Sequence, residues 1–138
     1  PGMTARAHRA GTRAGIMIVS SVVAFQTVPY MTTYAASKVF DLFYAEGLAA
    51  ELRDEPVDVL ALCPGGTRTE FFDRAAMPDR PMPYMLSADS VARQALAAMG
   101  RRTVLVTDPL RRITIIPGLL RRRILRGLVA RVMRRLAR

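Results

Sequence analysis

The sequence predicts an α/β fold in which helices cover a parallel sheet. Three observations carry this prediction: a continuous apolar run at 16–19 and a mostly apolar one at 57–63, a long helical pattern between them, and a further alternation of helix and strand patterns after residue 86. Continuous apolarity indicates strands that are covered on both faces, as in parallel sheets. Strands that alternate with helices are joined by right-handed crossovers and form layers. With 138 residues, of which 51% are apolar, the chain is long enough to bury a core.

The first predicted strand, 16–19, ends at Ser20 and Ser21. A helix is then expected from Thr33 or Tyr34 to Arg53, because apolar residues recur there at three-to-four spacing: Val39, Leu42, Phe43, Leu48, Ala49 and Leu52. Thr32 and Thr33 are its candidate N-caps, since a hydroxyl oxygen can accept a hydrogen bond from the exposed N–H groups of the first turn.

The second predicted strand, 57–63, ends at Cys63, which we interpret as a small buried apolar residue rather than a nucleophile. A loop is expected over 67–86, followed by a helix from an Ser87 N-cap to about Met99. The segments 103–107 and 113–116 are both strand candidates, and the pattern does not decide between them. A last helix is expected over 119–136.

The net charge of +10 is concentrated at one end of the chain. Residues 1–100 carry nine basic and ten acidic side chains, whereas residues 101–138 carry twelve arginines and a single acid, Asp108. The apolar runs are too short for a signal peptide or a membrane span. The single cysteine excludes an intrachain disulfide, which suits a cytoplasmic location.

The chain has twenty arginines but one lysine, Lys38, four residues after Tyr34 in the predicted helix. Residues at i and i+4 lie on one helical face. A free phenol ionises only near about pH 10, so it is a poor acid or base at neutral pH. An ammonium one turn away favours the phenolate and brings proton transfer towards neutral pH. Ser21, at a strand end, could stabilise charge that develops on a substrate oxygen.

Ser21, Tyr34 and Lys38, in the segments Ile-Val-Ser-Ser and Tyr-Ala-Ala-Ser-Lys, resemble the catalytic set of the classical short-chain dehydrogenases/reductases. The resemblance implies that Tyr34 exchanges a proton with the alcohol or carbonyl oxygen and that Ser21 positions this oxygen. It also implies that Lys38 assists Tyr34 and, with Tyr34, binds the nicotinamide ribose. The hydride would come from NAD or NADP, because no side chain supplies one.

The turn at 63–69, Cys-Pro-Gly-Gly-Thr-Arg-Thr, is similar to the Pro-Gly-x-x-x-Thr turn of the same family. The resemblance implies that Pro64 and Gly65 lie beside the nicotinamide and that Thr69 bonds the cofactor. It further implies a Rossmann-type, three-layer α/β fragment with a partial parallel sheet, about three strands of a seven-stranded parent. We expect residues 1–118 to form this C-terminal half of a domain, and 119–138 a basic amphipathic helix.

The sequence departs from the family in having no Gly-rich strand-turn-helix fingerprint for the cofactor phosphates. We therefore expect the nucleotide-binding N-terminal half to be missing, an inner sheet edge to lack its partner, and the chain alone to be inactive. The expected partners are a small apolar carbonyl or alcohol substrate and a second copy of the chain, with no nucleic acid and no metal.

Other residues have simpler interpretations. Ser20 is expected to support the backbone, and His8 to be a solvated surface side chain. The aromatic and methionine side chains after the turn are expected to form an apolar substrate lid: Phe71, Phe72, Met77, Met82, Tyr84 and Met85.

The segment 119–138 supports an alternative function. Its apolar residues follow one helical face, and eight arginines occupy much of the rest. Such a helix suits an anionic membrane surface or a protein groove. The chain could then be a non-catalytic binding module, associated with a membrane, that acts through this helix. A packed C-terminal helix with solvated arginines fits the pattern equally well.

Overall fold

The structure is a computed structural model that describes residues 2–74, 84–109 and 115. Its elements in chain order are α1 (Gly2–Ala10), β1 (Ala14–Val19), a 3₁₀ helix (Val22–Phe25), α2 (Thr32–Glu51), β2 (Val57–Cys63), β3 (Thr67–Arg68), α3 (Phe71–Arg74), β4 (Leu86–Ser87), α4 (Ala88–Ala98) and β5 (Val104–Val106). The predicted alternation of strands and helices is therefore confirmed.

The main sheet has three parallel strands in the order β1-β2-β5. Side chains alternate between the two faces of the central strand, β2. Val59 faces the side covered by α2, where Leu42 is completely buried, while Leu60 faces the side covered by α4 with Ala95. The sheet thus lies between two helical layers, and the predicted three-layer α/β fold with a parallel sheet is confirmed.

The predicted capping of α2 is wrong. The N-cap is Met31, whose side chain makes no capping hydrogen bond, and neither Thr32 nor Thr33 has that role. Tyr30 has a φ of 65°, and the Met31 N–H donates to the Val28 carbonyl over 3.1 Å. This turn directs the chain into the helix one residue earlier than a threonine cap would allow.

The sequence did not predict helix α1 or the 3₁₀ helix, and it left open the choice between two strand candidates. Helix α1 was not predicted, because its Arg-rich sequence buries only Ala7 and lacks an apolar stripe. Of the two strand candidates, 103–107 contains β5, which pairs with β2. The other, 113–116, lies outside the described residues except for Ile115, which packs against the core. The predicted helix 119–136 and the boundary at residue 118 also lie outside the described residues. The alternative function, a binding module, depends on this same helix.

The expected loop at 67–86 contains short elements. Strands β3 and β4 pair in parallel, Thr67 with Leu86 and Arg68 with Ser87, and are too short to show a sequence period. The predicted cap of α4 is confirmed, since the Ser87 hydroxyl accepts from the Ser90 N–H over 3.2 Å.

Strand β1 lies at one edge of the main sheet. Among residues 2–74 and 84–109, no strand pairs with its outer side, and Val19 at its end is 54% exposed. Within the same described ranges, no helix is both long enough and apolar enough to cross a bilayer.

Candidate active site

The predicted site residues lie at the carboxyl end of the parallel sheet. Ser21 follows the last residue of β1 by two positions, and Pro64 comes directly after β2. Asp108 follows the end of β5 by two positions. Because all three strands run in the same direction, these segments lie together at the carboxyl ends of the strands. Open α/β sheets bind their ligands at this end.

Ser21 is the N-cap of the 3₁₀ helix and is buried. Its Oγ accepts a hydrogen bond from the Val23 N–H over 3.3 Å. The next residue, Val22, donates its N–H to the Pro64 carbonyl over 2.9 Å. The Ser21 segment and the turn after β2 are thus joined through the backbone.

Lys38 is tied to the end of β1 at both its backbone and its side chain. The buried Ser20 hydroxyl donates to the Lys38 carbonyl over 2.7 Å, which is the supporting role expected for this serine. The Lys38 Nζ donates to the Val19 carbonyl over 3.1 Å and to the Asp41 carboxylate over 2.9 Å. The ammonium group is therefore held beside the strand end that leads into Ser21.

Tyr34 lies between this lysine and α3. The Lys38 Nζ is 5.9 Å from the centroid of the Tyr34 ring, within the range of a cation–π contact. The Phe71 ring packs on Tyr34 from α3, with centroids 5.5 Å apart and planes tilted by 43°. An ammonium and an apolar ring thus contact the same phenol.

The turn after β2 is closely packed. A Cβ atom on Gly65 would lie 2.7 Å from both Cβ and Oδ2 of the buried Asp108. The Gly65 carbonyl accepts from the Thr67 hydroxyl over 3.1 Å. Thr69 Oγ1 accepts from the Phe71 N–H over 3.3 Å, so Thr69 supports the helix whose aromatic ring contacts Tyr34.

Lys38 thus contacts Tyr34, and Phe71 links Tyr34 to Thr69. Ser21 is joined to Lys38 and to Pro64 only through the hydrogen bonds of its chain neighbours, Ser20 and Val22. Two residues that the sequence analysis did not select also belong here, namely Asp41 and Asp108. Asp41 follows the single lysine by three positions in a helix, a spacing that brings charged side chains together and could have indicated it. Asp108 had no such signal, because its partner Gly65 is far away in sequence.

The remaining candidates lie elsewhere or have a structural role. His8 Nε2 is 3.0 Å from a carboxylate oxygen of Glu55, and the histidine side chain is 60% exposed, which places His8 at the surface as expected. Cys63 is fully buried in the core, also as expected. In the part of the chain that the structure describes, no group of His, Cys, Asp and Glu side chains could hold a metal ion.

Residues 3–79, more than half of the chain, match the family model described as short chain dehydrogenase. The fold is similar to a short-chain dehydrogenase from Sphingobium yanoikuyae in complex with NADPH, with a TM-score of 0.68 and 32% identity over 92% of this chain and 48% of that one. It is also similar to the bulky-bulky ketone specific alcohol dehydrogenase from Comamonas testosteroni, with a TM-score of 0.64 and 29% identity over 92% and 46% of the two chains. A short chain dehydrogenase from Burkholderia cenocepacia in complex with NADP has a TM-score of 0.62 and 25% identity over 89% and 51%. The chain thus spans about half the length of these proteins.

Proposed function

Because the chain belongs to the short-chain dehydrogenase family, we propose that it carries the catalytic half of an oxidoreductase that interconverts carbonyl compounds and alcohols with NAD or NADP. The observation that carries the proposal is the position of Lys38. Its ammonium contacts the Tyr34 ring and the Val19 carbonyl at once. This position supports the assignment of Tyr34 and Lys38 as an acid/base pair next to the end of β1.

In carbonyl reduction, the Tyr34 hydroxyl gives its proton to the substrate oxygen, and in alcohol oxidation the phenolate takes one back. The phenolate that reduction leaves is stabilised by the positive charge of Lys38. Ser21 accepts a bond from the Val23 N–H with its oxygen, and a hydroxyl also has one hydrogen to donate. That hydrogen orients the substrate oxygen and stabilises the charge that develops on it.

The donor set fits a nicotinamide cofactor. An ammonium has three N–H donors, and Val19 and Asp41 account for two of those of Lys38. The third is suited to a ribose hydroxyl, to which the Tyr34 hydroxyl would also bond. Pro64 and Gly65 form the turn expected beside the nicotinamide, and Thr69 has a hydroxyl that can bond the cofactor. The bound cofactor would supply the hydride, while the residues that hold its phosphates would come from outside this chain.

The substrate side of the site would be apolar. Phe71 contacts Tyr34 and is 40% exposed, and Tyr84, after the segment that lies outside the described residues, is 43% exposed. Phe71 therefore presents exposed aromatic surface beside the phenol. Met77 and Met82, and the side chain of Phe72, lie outside what the structure describes. We propose a small carbonyl compound or alcohol with apolar substituents as substrate.

The test is a fusion of residues 1–138 behind the part of the Sphingobium yanoikuyae protein that the chain does not cover. We expect the fusion to oxidise NADPH in the presence of a ketone and the chain alone not to do so. Tyr34→Phe should abolish this turnover, because it removes the proton that Tyr34 donates. Tyr44→Phe is the matched control, since Tyr44 stacks on Phe40 at the surface of the same helix. A folded fusion without turnover, or one in which Tyr34→Phe stays active, would refute the proposed function.

A further inference from the structure

The proposed chemistry depends on where the Lys38 ammonium lies and on how much of its charge acts on Tyr34. Asp41, one turn further along α2, places its carboxylate 2.9 Å from the Lys38 Nζ. The two side chains are only 24% and 28% exposed, so water screens the pair incompletely. The negative charge of the Asp41 carboxylate therefore lies next to the Lys38 ammonium, the group proposed to support the Tyr34 phenolate.

Among the described residues, no charged side chain from another element contacts the Lys38 ammonium in the hydrogen bonds and ion pairs of the site. The end of β1 supplies the Val19 carbonyl and the Ser20 hydroxyl, and the 3₁₀ helix has the sequence Val-Val-Ala-Phe, without an ionisable side chain. From α3, Phe71 contacts Tyr34, while Arg74 pairs with Glu70 over 2.6 Å at the surface. The charges that act on the ammonium from its own helix are thus Tyr34, when ionised, and Asp41.

We propose that Asp41 is a positioning residue for Lys38: its carboxylate and the Val19 carbonyl together fix the ammonium beside Tyr34. This inference rests on the proposed function for its catalytic meaning. Its structural part, the restraint of Lys38, stands independently of turnover.

The expected effect follows from the two anchors of the ammonium. Loss of the Asp41 anchor in Asp41→Asn frees the ammonium to leave its position, so the KM for the cofactor should rise more than kcat falls.

The restraint can be measured without turnover, because Lys38 is the only lysine of the chain. An amine-acylating ester, followed by peptide mass spectrometry, gives the rate at which this one side chain reacts. In the wild type, Asp41 and Val19 bond two of the hydrogens of this group and hold it in place. Asp41→Asn should therefore accelerate labelling about two- to five-fold, the range expected for a partly exposed ion pair.

Asp41→Glu keeps the charge and should stay closer to the wild-type rate. Asp54→Asn is the charge-matched control, because Asp54 is 75% exposed and pairs with Arg53 beyond the end of α2. Equal labelling of wild type and Asp41→Asn would overturn the proposal. Equal acceleration in Asp41→Glu would do the same, because it would indicate a general loosening of the helix.

The catalytic part is tested in the fusion described above, with kcat and the KM for NADPH measured for each variant. We expect the KM of Asp41→Asn to rise about two- to five-fold with a smaller fall in kcat, and Asp54→Asn to change neither. If the fusion turns over and the KM of Asp41→Asn equals that of the wild type, the positioning role is wrong. If no fusion turns over but labelling responds to Asp41, the proposed function fails while the restraint on Lys38 stands.

Discussion

Replacement of Gly65 by alanine tests whether the turn after β2 is as tightly packed as the structure indicates. The new Cβ would lie 2.7 Å from two atoms of Asp108, closer than real Cβ contacts occur. Asp108 is only 8% exposed, so its side chain cannot move into solvent without movement of the backbone after β5. The added methyl group therefore has to displace the end of one strand or the turn after its neighbour.

Insertion of a methyl group into a closely packed site typically costs about 1–3 kcal/mol. For a chain of this length, each kcal/mol changes Tm by roughly 3–4 °C. We therefore expect Gly65→Ala to lower Tm by about 3–12 °C. Since the turn is part of the proposed cofactor site, the fusion enzyme should also lose affinity for NADPH.

The assay is thermal unfolding of the 138-residue chain, followed by circular dichroism. Gly47→Ala is the matched control: Gly47 lies inside α2 and a Cβ there would meet no atom within 4 Å. Because alanine is the better helix former, this control should gain about 0.5–1 kcal/mol. An unchanged or raised Tm in Gly65→Ala would refute the reasoning. So would a Gly65→Ala/Asp108→Gly double variant in which the two losses simply add, because relief of the clash requires coupling.

Two further predictions concern stability. Leu42→Ala should cost about 2–5 kcal/mol in the free energy of unfolding, because Leu42 is fully buried between α2 and the sheet. Leu96→Ala, at a position that is 70% exposed, should change the free energy of unfolding by less than about 0.5 kcal/mol. Similar losses for Leu42→Ala and Leu96→Ala in urea titrations would contradict the assigned core. Ser87→Ala should cost about 1 kcal/mol through loss of the α4 cap, whereas Ser87→Asn should restore most of it. Equal stability of Ser87→Ala and wild type would show that the cap contributes nothing.

The fold was most predictable where neighbouring residues in the sequence determine both the burial and the boundaries of an element. Strand β2 was predicted to the residue, because its apolar run lies between Pro56 and Pro64 and the element is covered on both faces. The start of α2 was predicted incorrectly, because it depends on the backbone turn at Tyr30 rather than on a capping side chain. Helix α1 carries too little apolar surface to give a period.

The candidate site shows the same division. Tyr34 and Lys38 could be paired from sequence because one helix places them a turn apart. The contact between Gly65 and Asp108 could not, because it depends on how β5 lies beside β2. Spacing along one element is visible in a sequence, whereas proximity between strand ends depends on the sheet order.

The pairing of β1 with β2 through α2 has a consequence for how the protein folds. Ser21, Tyr34 and Lys38 all lie within the single β-α-β unit that starts at Ala14 and ends at Cys63. Such supersecondary units commonly open and close cooperatively. The groups proposed for proton transfer should therefore assemble together, in one step. Amide hydrogen exchange should give its slowest rates along β2. The turn that would hold the nicotinamide would form later, when β5 joins the sheet.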